Sequence, residues 1–165
     1  MLVGETPAHV VAGVHRQAGV HEVLREHGVE LAGSIPTQWW PEPSFRAVSD
    51  HLAQGHRPSA FICLNHRIAM GTYQACQEAG LAVPTDISVV SFDDSDLAGW
   101  LRPVLTSAAI PHFEMGRRAV EILLAPDRLP QVHRVQMTLR ERSSVAAPAP
   151  RRRLHTVRRA TATRP

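Results

Sequence analysis

Lysine is absent from this 165-residue sequence, and all eighteen of its basic residues are arginine. Beside abundant alanine and proline the bias is compositional, and no function is assigned to it. Cysteine is scarce: Cys63 and Cys76 stand alone, in no CxxC or Cys/His finger spacing. That gives little support to a disulfide framework or a structural zinc and leaves two small core residues. No run of about 18 consecutive apolar residues occurs, so no membrane span is expected. The opening MLVGETPAHV has no basic stretch followed by an apolar one, so no signal peptide is expected and the cytoplasm is the expected compartment.

Signatures of catalysis are missing as well. The sequence contains no GxSxG elbow, Walker loop, HExxH or GxGxxG, and its Ser, Cys and His residues form no recognisable set, so no enzymatic activity is expected. The adjacent acids Asp93 and Asp94 would serve acid–base chemistry only with a pKa raised by burial or a close partner, which a sequence does not show. His9, His15, His21 and His27 recur every six residues. Six steps along a helix turn ~600°, so successive rings point ~120° away from one another and do not converge on one ion. Neither a metal nor a cofactor is expected.

The formal net charge of +3 conceals a division. Residues 150–165 carry six arginines and no acid, which leaves twelve arginines against fifteen acids elsewhere, a body of net charge −3. Such a body lacks the concentrated positive charge of a domain that neutralises phosphates. The arginine-rich end has no interleaved aromatic residue, and non-specific attraction to polyanions is the most it implies.

What is present is alternation. With 44% hydrophobic residues the chain suits one core. Residues 1–4 read as an apolar strand, and Val10, Val14, Ala18 and Leu24 suit a helix ending near Gly28. After a loop containing Gly33 and Pro36, the positions Phe45, Val48, Ser49 and Leu52 have helical spacing. SAFICL (59–64) is a continuous apolar run of the kind buried in a parallel sheet. Asn65 is placed to cap a helix using Ile68, Ala69, Tyr73 and Cys76 before Gly80. ISVVSF (87–92) is a second buried strand that stops at Asp93 and Asp94. A strand over 104–108, a helix over 113–124 and a last strand near 132–139 follow. Strands alternating with helices imply an α/β fold with a parallel sheet. In such sheets ligands gather outside the carboxyl ends of the strands, where Asn65, Asp93 and Asp94 lie. Residues 146–165 lose periodicity and are expected to form a disordered, Arg-rich tail, leaving 1–145 as the domain.

One long ordered pattern carries more. RPSAFICLNHRIAMGTYQACQEAGLAVPTDISVVSFDD, followed by LTSAAIPHFEMGRRAVEILL, resembles the sensing core of the lactose-repressor/galactose-repressor (LacI/GalR) family of transcriptional regulators. Upstream, HRQAGVHEVLREHG (15–28) is similar to that family's arginine-bearing helix, and the resemblance spans about 140 residues. It implies a lobe of a periplasmic-binding-protein-like (type I) sensor in which two α/β subdomains close on a small-molecule effector, a sugar or related polyol. It assigns effector contacts to Arg16, Asn65, Asp93 and Trp39, with Trp40 the competitor for the aromatic wall. It further implies a homodimeric repressor that touches DNA only through an amino-terminal helix-turn-helix. That element, a hinge helix and most of the first subdomain are expected to be absent from this chain. The segment around LTSAAIPHF runs through the hinge between lobes in the family, so residues 113–124 are expected to cross towards the missing lobe and to expose apolar area. The family pattern is departed from at Asn65-His66, where Asn-Asp is usual, and at Ile110 and His112. An exported sugar-binding protein of a transport system shares the architecture and is the alternative reading.

Overall fold

A computed structural model describes residues 1–5, 11–125 and 131–148. Six strands form one sheet: β1 (Leu2–Glu5), β2 (Ser34–Pro36), β3 (Ala60–Cys63), β4 (Ser88–Asp93), β5 (Thr106–Ala109) and β6 (Thr138–Arg140). Five helices connect them: α1 (Val11–Glu26), α2 (Pro41–Ala53), α3 (His66–Glu78), α4 (Asp96–Trp100) and α5 (His112–Leu124). The strand order is β2-β1-β3-β4-β5-β6, with every neighbouring pair parallel except β5 and β6. The chain therefore leaves β1 for one edge and returns on its other side to build β3 to β5. That reversal between β1 and β3 is a topological switch point, where the helices leaving adjacent strands go to opposite sides and open a crevice at the strands' carboxyl ends.

The core explains why the elements sit where they do. β1, β3 and β4 are flanked by neighbours on both sides, and Leu2, Val3, Phe61, Cys63 and Val89 are fully buried. β-branched and aromatic side chains on such strands face helices rather than water. α3 closes one face with Ile68, Ala69, Thr72 and Cys76, and α2 packs on α3 through Ser44, Val48 and Leu52. The two helices approach closely at Gly71, where a Cβ would stand 2.1 Å from the Pro41 carbonyl oxygen and 2.7 Å from the Phe45 nitrogen. Only glycine permits that spacing. Pro41 and Pro43 start α2 in the first turn, where a missing N–H costs nothing.

Three features differ from what the sequence implies. Ser34–Pro36, expected within a loop, pairs with β1 as an edge strand, three residues being too short for a periodic signal. α4 fills the stretch after the two acids. The last strand covers only Thr138–Arg140 and runs antiparallel to β5, pairing with Ser107, Ala108 and Ala109. After β6, Ser144 inserts between Val89 and Thr106, and Ala146 N–H donates to Ser88 Oγ at 3.1 Å. The expected helix start at Val10 and the tail over 149–165 lie outside the described residues.

α5 buries none of its residues. Phe113, Val120 and Leu124 are 79%, 55% and 76% exposed, so the apolar stripe of an amphipathic helix faces away from this lobe. Glu114, Arg117, Arg118 and Glu121 pair along the other side.

Candidate functional site

The carboxyl ends of β1, β3 and β4 bring three of the four expected residues to one place. Asn65 follows β3 and caps α3, its Oδ1 accepting from the Ile68 N–H at 2.7 Å. Such a cap stabilises a helix by about 1 kcal/mol, and it fixes the rotamer so that the amide NH2 remains available. Asp93 ends β4. Arg16, on the helix that leaves β1, reaches across the switch point: it donates to the Leu64 carbonyl at 2.8 Å and pairs with Asp93 Oδ1 at 2.5 Å. The planar guanidinium suits this double duty. The ion pair with Arg16 is what holds Asp93 Oδ1, with no further hydrogen bond to it.

Trp39, the fourth, flanks the same guanidinium. Arg16 Cζ lies 5.7 Å from the Trp39 ring and 5.5 Å from the Phe92 ring, a cation between two aromatic faces. Trp40 is elsewhere, 58% exposed and under Arg67 at 4.3 Å. Phe92 is a neighbour that composition and spacing did not single out, because successive strand residues point to opposite faces. Asp93, with a φ of 84°, departs from extended strand backbone, and both residues contact Arg16.

Asp94 also has positive φ, 50°. Two consecutive non-glycine residues in the left-handed region cost of order 1–3 kcal/mol each, and such strain persists where surroundings over-determine it. The surroundings here are arginines. Arg142 grips Asp94 with both nitrogens, at 2.5 and 3.1 Å, and also donates to the Leu105 carbonyl at 2.6 Å. Arg140 adds a contact at 3.1 Å, and the Asp94 side chain is 3% exposed. The two neighbouring acids thus do different work: Asp94 is locked into the frame, while Asp93 stays at the mouth.

His66, the first residue of α3, completes the wall. Its Nδ1 stands 3.7 Å from Asp93 Oδ2, beyond hydrogen-bond range, and is buried without a partner. Burial lowers the imidazole pKa, the Asp93 and Asp94 carboxylates oppose the shift, and the Arg67 guanidinium adds to it. Trp39 Nε1 is a second buried polar atom without a partner. Of the two other departures from the family pattern, Ile110 sits beside Asp93, donating its N–H to the Asp93 carbonyl at 3.3 Å, and His112 is exposed at the start of α5.

No group of three or more His, Cys, Asp or Glu side chains is arranged to hold a metal among the described residues. A separate depression of about 720 Å³ lies along α3 towards the amino-terminal edge of the sheet, lined by Met70, Tyr73, Gln77, Leu81, Trp100 and Leu101, with none of these polar groups in it. No helix among the described residues is long and apolar enough to cross a membrane.

A doubly wound lobe with a polar, aromatic-flanked cluster at its switch point has the architecture of α/β domains that bind small molecules at the strands' carboxyl ends. Comparison with known proteins names it further. Residues 1–145 match the periplasmic binding protein-like domain family. Over 142 residues the chain is 37% identical to the HTH-type transcriptional repressor PurR of Erwinia tasmaniensis, covering 81% of this chain and 41% of that protein. It is 45% identical over 73 residues to the ribose operon repressor of Haemophilus influenzae, 44% of this chain and 22% of that one. A solved dimeric Lac repressor with a carboxyl-terminal deletion superposes with a TM-score of 0.84 at 26% identity, over 90% of this chain and 56% of that one. The chain belongs to the periplasmic binding protein-like family and, within it, to the effector-binding domains of LacI/GalR regulators. It spans about half the length, or less, of the relatives it matches.

Proposed function

We propose that this chain is the effector-sensing part of a bacterial LacI/GalR-type repressor, and that the crevice of Arg16, Asn65 and Asp93 with Trp39 beside it holds a small molecule, a sugar or related polyol. The observation that carries the reading is the polar cluster at the switch point, where His66 Nδ1 and Trp39 Nε1 are buried without a hydrogen-bond partner beside the Arg16–Asp93 ion pair. Buried polar groups are ordinarily satisfied, and a bound ligand supplies what these lack. Asp93 accepts hydroxyls, the Asn65 amide and Arg16 donate, and the indole covers an apolar ring face. The relatives are repressors and one is named for a ribose operon, which favours a regulatory sensor over a transport protein. The chemistry required is recognition alone, with no catalytic step.

In this reading residues 1–145 are the sensor and 146–165 a tail beyond it. α5 crosses to a first lobe, DNA contact belongs to an amino-terminal helix-turn-helix of the whole regulator, and that regulator is a cytoplasmic homodimer. With one wall of the cleft in this chain, a ligand stays half in water. Hydrogen bonds then gain ~0.5–1.5 kcal/mol net each, against several kcal/mol of lost ligand freedom, so affinity is in the millimolar range. Saturation-transfer NMR with a panel of pentoses, hexoses and nucleosides tests the reading. The expected result is a signal from at least one ligand that Arg16→Ala and Asp93→Ala both remove. An undiminished signal in both variants overturns it.

A further inference from the structure

Hydrogen-bonding capacity at this wall is lopsided. Asn65 spends its Oδ1 on the Ile68 N–H, so what it offers is an amide NH2, a pure donor. Trp39 Nε1 can only donate and is buried without a partner. Arg16 holds five N–H groups and directs them at only two acceptors, the Leu64 carbonyl and Asp93. His66 Nδ1, also unpartnered, donates in its Nδ1–H tautomer. Against these donors stands the Asp93 carboxylate, whose charge Arg16 already pairs, with His66 Nδ1 an acceptor only in its other tautomer.

A neutral polyol needs an acceptor for every hydroxyl proton it buries, whereas an oxyanion consumes donors alone. A carboxylate in place of His66 would have restored the balance towards hydroxyls. The imidazole tips it the other way.

We propose that His66 is a specificity-determining residue of this effector site, and that the part of the effector lying against it is an anionic oxygen group, a carboxylate or a phosphate ester. This rests on the reading that the crevice is the effector site. The charged groups facing His66 are Asp93 and Asp94 from the end of β4, Arg67 from its own helix and, across Asp93, Arg16 from α1. Without ligand His66 is neutral at pH 7, since burial holds its pKa below the ordinary value. An anion placed against it favours the imidazolium, so binding takes up a proton and tightens as pH falls.

The test is a ¹H–¹⁵N chemical-shift titration of the 165-residue chain with D-glucuronate and D-glucose, a pair differing by one carboxylate, and with ribose 5-phosphate and ribose. At pH 7.5 the acid or the phosphate ester is expected to bind about tenfold tighter than its neutral partner, the worth of one good charge-assisted bond, and which of the two does so identifies the anion. For glucuronate, which does not itself titrate in this range, affinity should rise severalfold from pH 7.5 to 5.5. His66→Asn should flatten that dependence, and His66→Asp should reverse the preference. If the neutral sugars bind as well as the anions, or His66→Asp leaves the preference intact, while Arg16→Ala still abolishes binding, the anionic inference fails and the site stands. If no ligand perturbs Asn65, His66 or Asp93, both fail.

Discussion

Arg16 and Asp93 are 77 positions apart in sequence and 2.5 Å apart in space. α1 buries only Gly13, so this pair and the Arg16 bond to Leu64 are the principal polar ties between the helix and the sheet. Both side chains are more than four-fifths covered. Removing the guanidinium strands a largely buried carboxylate. Arg16→Ala is expected to destabilise the lobe by about 1–3 kcal/mol, measured by urea unfolding, and to speed amide exchange along α1. Because the two groups share one interaction, Arg16→Ala and Asp93→Ala together should cost less than the sum of the single changes.

The close approach of α2 and α3 at Gly71 makes a single methyl group disruptive. A Cβ there meets backbone atoms rather than a side chain able to swing aside. Gly71→Ala, which raises intrinsic helix propensity, is nonetheless expected to destabilise by about 1–3 kcal/mol. A midpoint of urea unfolding equal to or above that of the parent chain would show that the helices separate freely.

Stability should depend on pH through His66. Its pKa is lowered in the folded chain, so between the folded value and 6.5 the unfolded chain binds more protons and stability increases with pH. The contribution is complete above about pH 6.5 and is lost as pH falls towards the folded value. Thermal unfolding between pH 5.5 and 7.5 should show a falling Tm on the acid side that His66→Asn diminishes. Ligand-free stability and anion affinity thus move in opposite directions with pH, and the two effects separate in one pair of variants.

α5 is an amphipathic helix without a floor. Thirteen residues are marginal as an isolated helix in water, and exposed Phe113 and Leu124 form a contiguous apolar stripe with Val120. The chain is expected to self-associate at high concentration. Phe113→Ser with Leu124→Ser should shift light-scattering mass towards the monomer without lowering Tm, since neither residue contributes to the core. An unchanged association would place the contact elsewhere.

Much of the lobe is legible in the residue pattern. The apolar runs over 59–64 and 87–92 become β3 and β4, and Asn65 caps α3, because continuous hydrophobic runs and cap residues act locally. Ser34–Pro36 and Thr138–Arg140 are harder: three-residue edge strands owe their existence to the neighbour they pair with, which no local spacing records. The site divides in the same way. Arg16, Asn65, Asp93 and Trp39 are named by family resemblance and meet in the structure. The left-handed backbone at Asp93 and Asp94, the Phe92 ring beside Arg16 and the arginine clamp on Asp94 depend on residues up to 76 positions distant. His66 stands out in the sequence only as a departure from a pattern, and its meaning comes from the carboxylate 3.7 Å away.

Binding of effector in the crevice at the switch point is measured directly by a backbone and indole chemical-shift map of the chain titrated with the best ligand of the panel. The amides of Asn65, His66, Asp93 and Asp94 and the Trp39 indole N–H are predicted to shift together along one saturation curve, with the Trp40 and Trp100 indoles unmoved. Shifts concentrated instead at Met70, Tyr73, Gln77 and Trp100, along the depression beside α3, would contradict it.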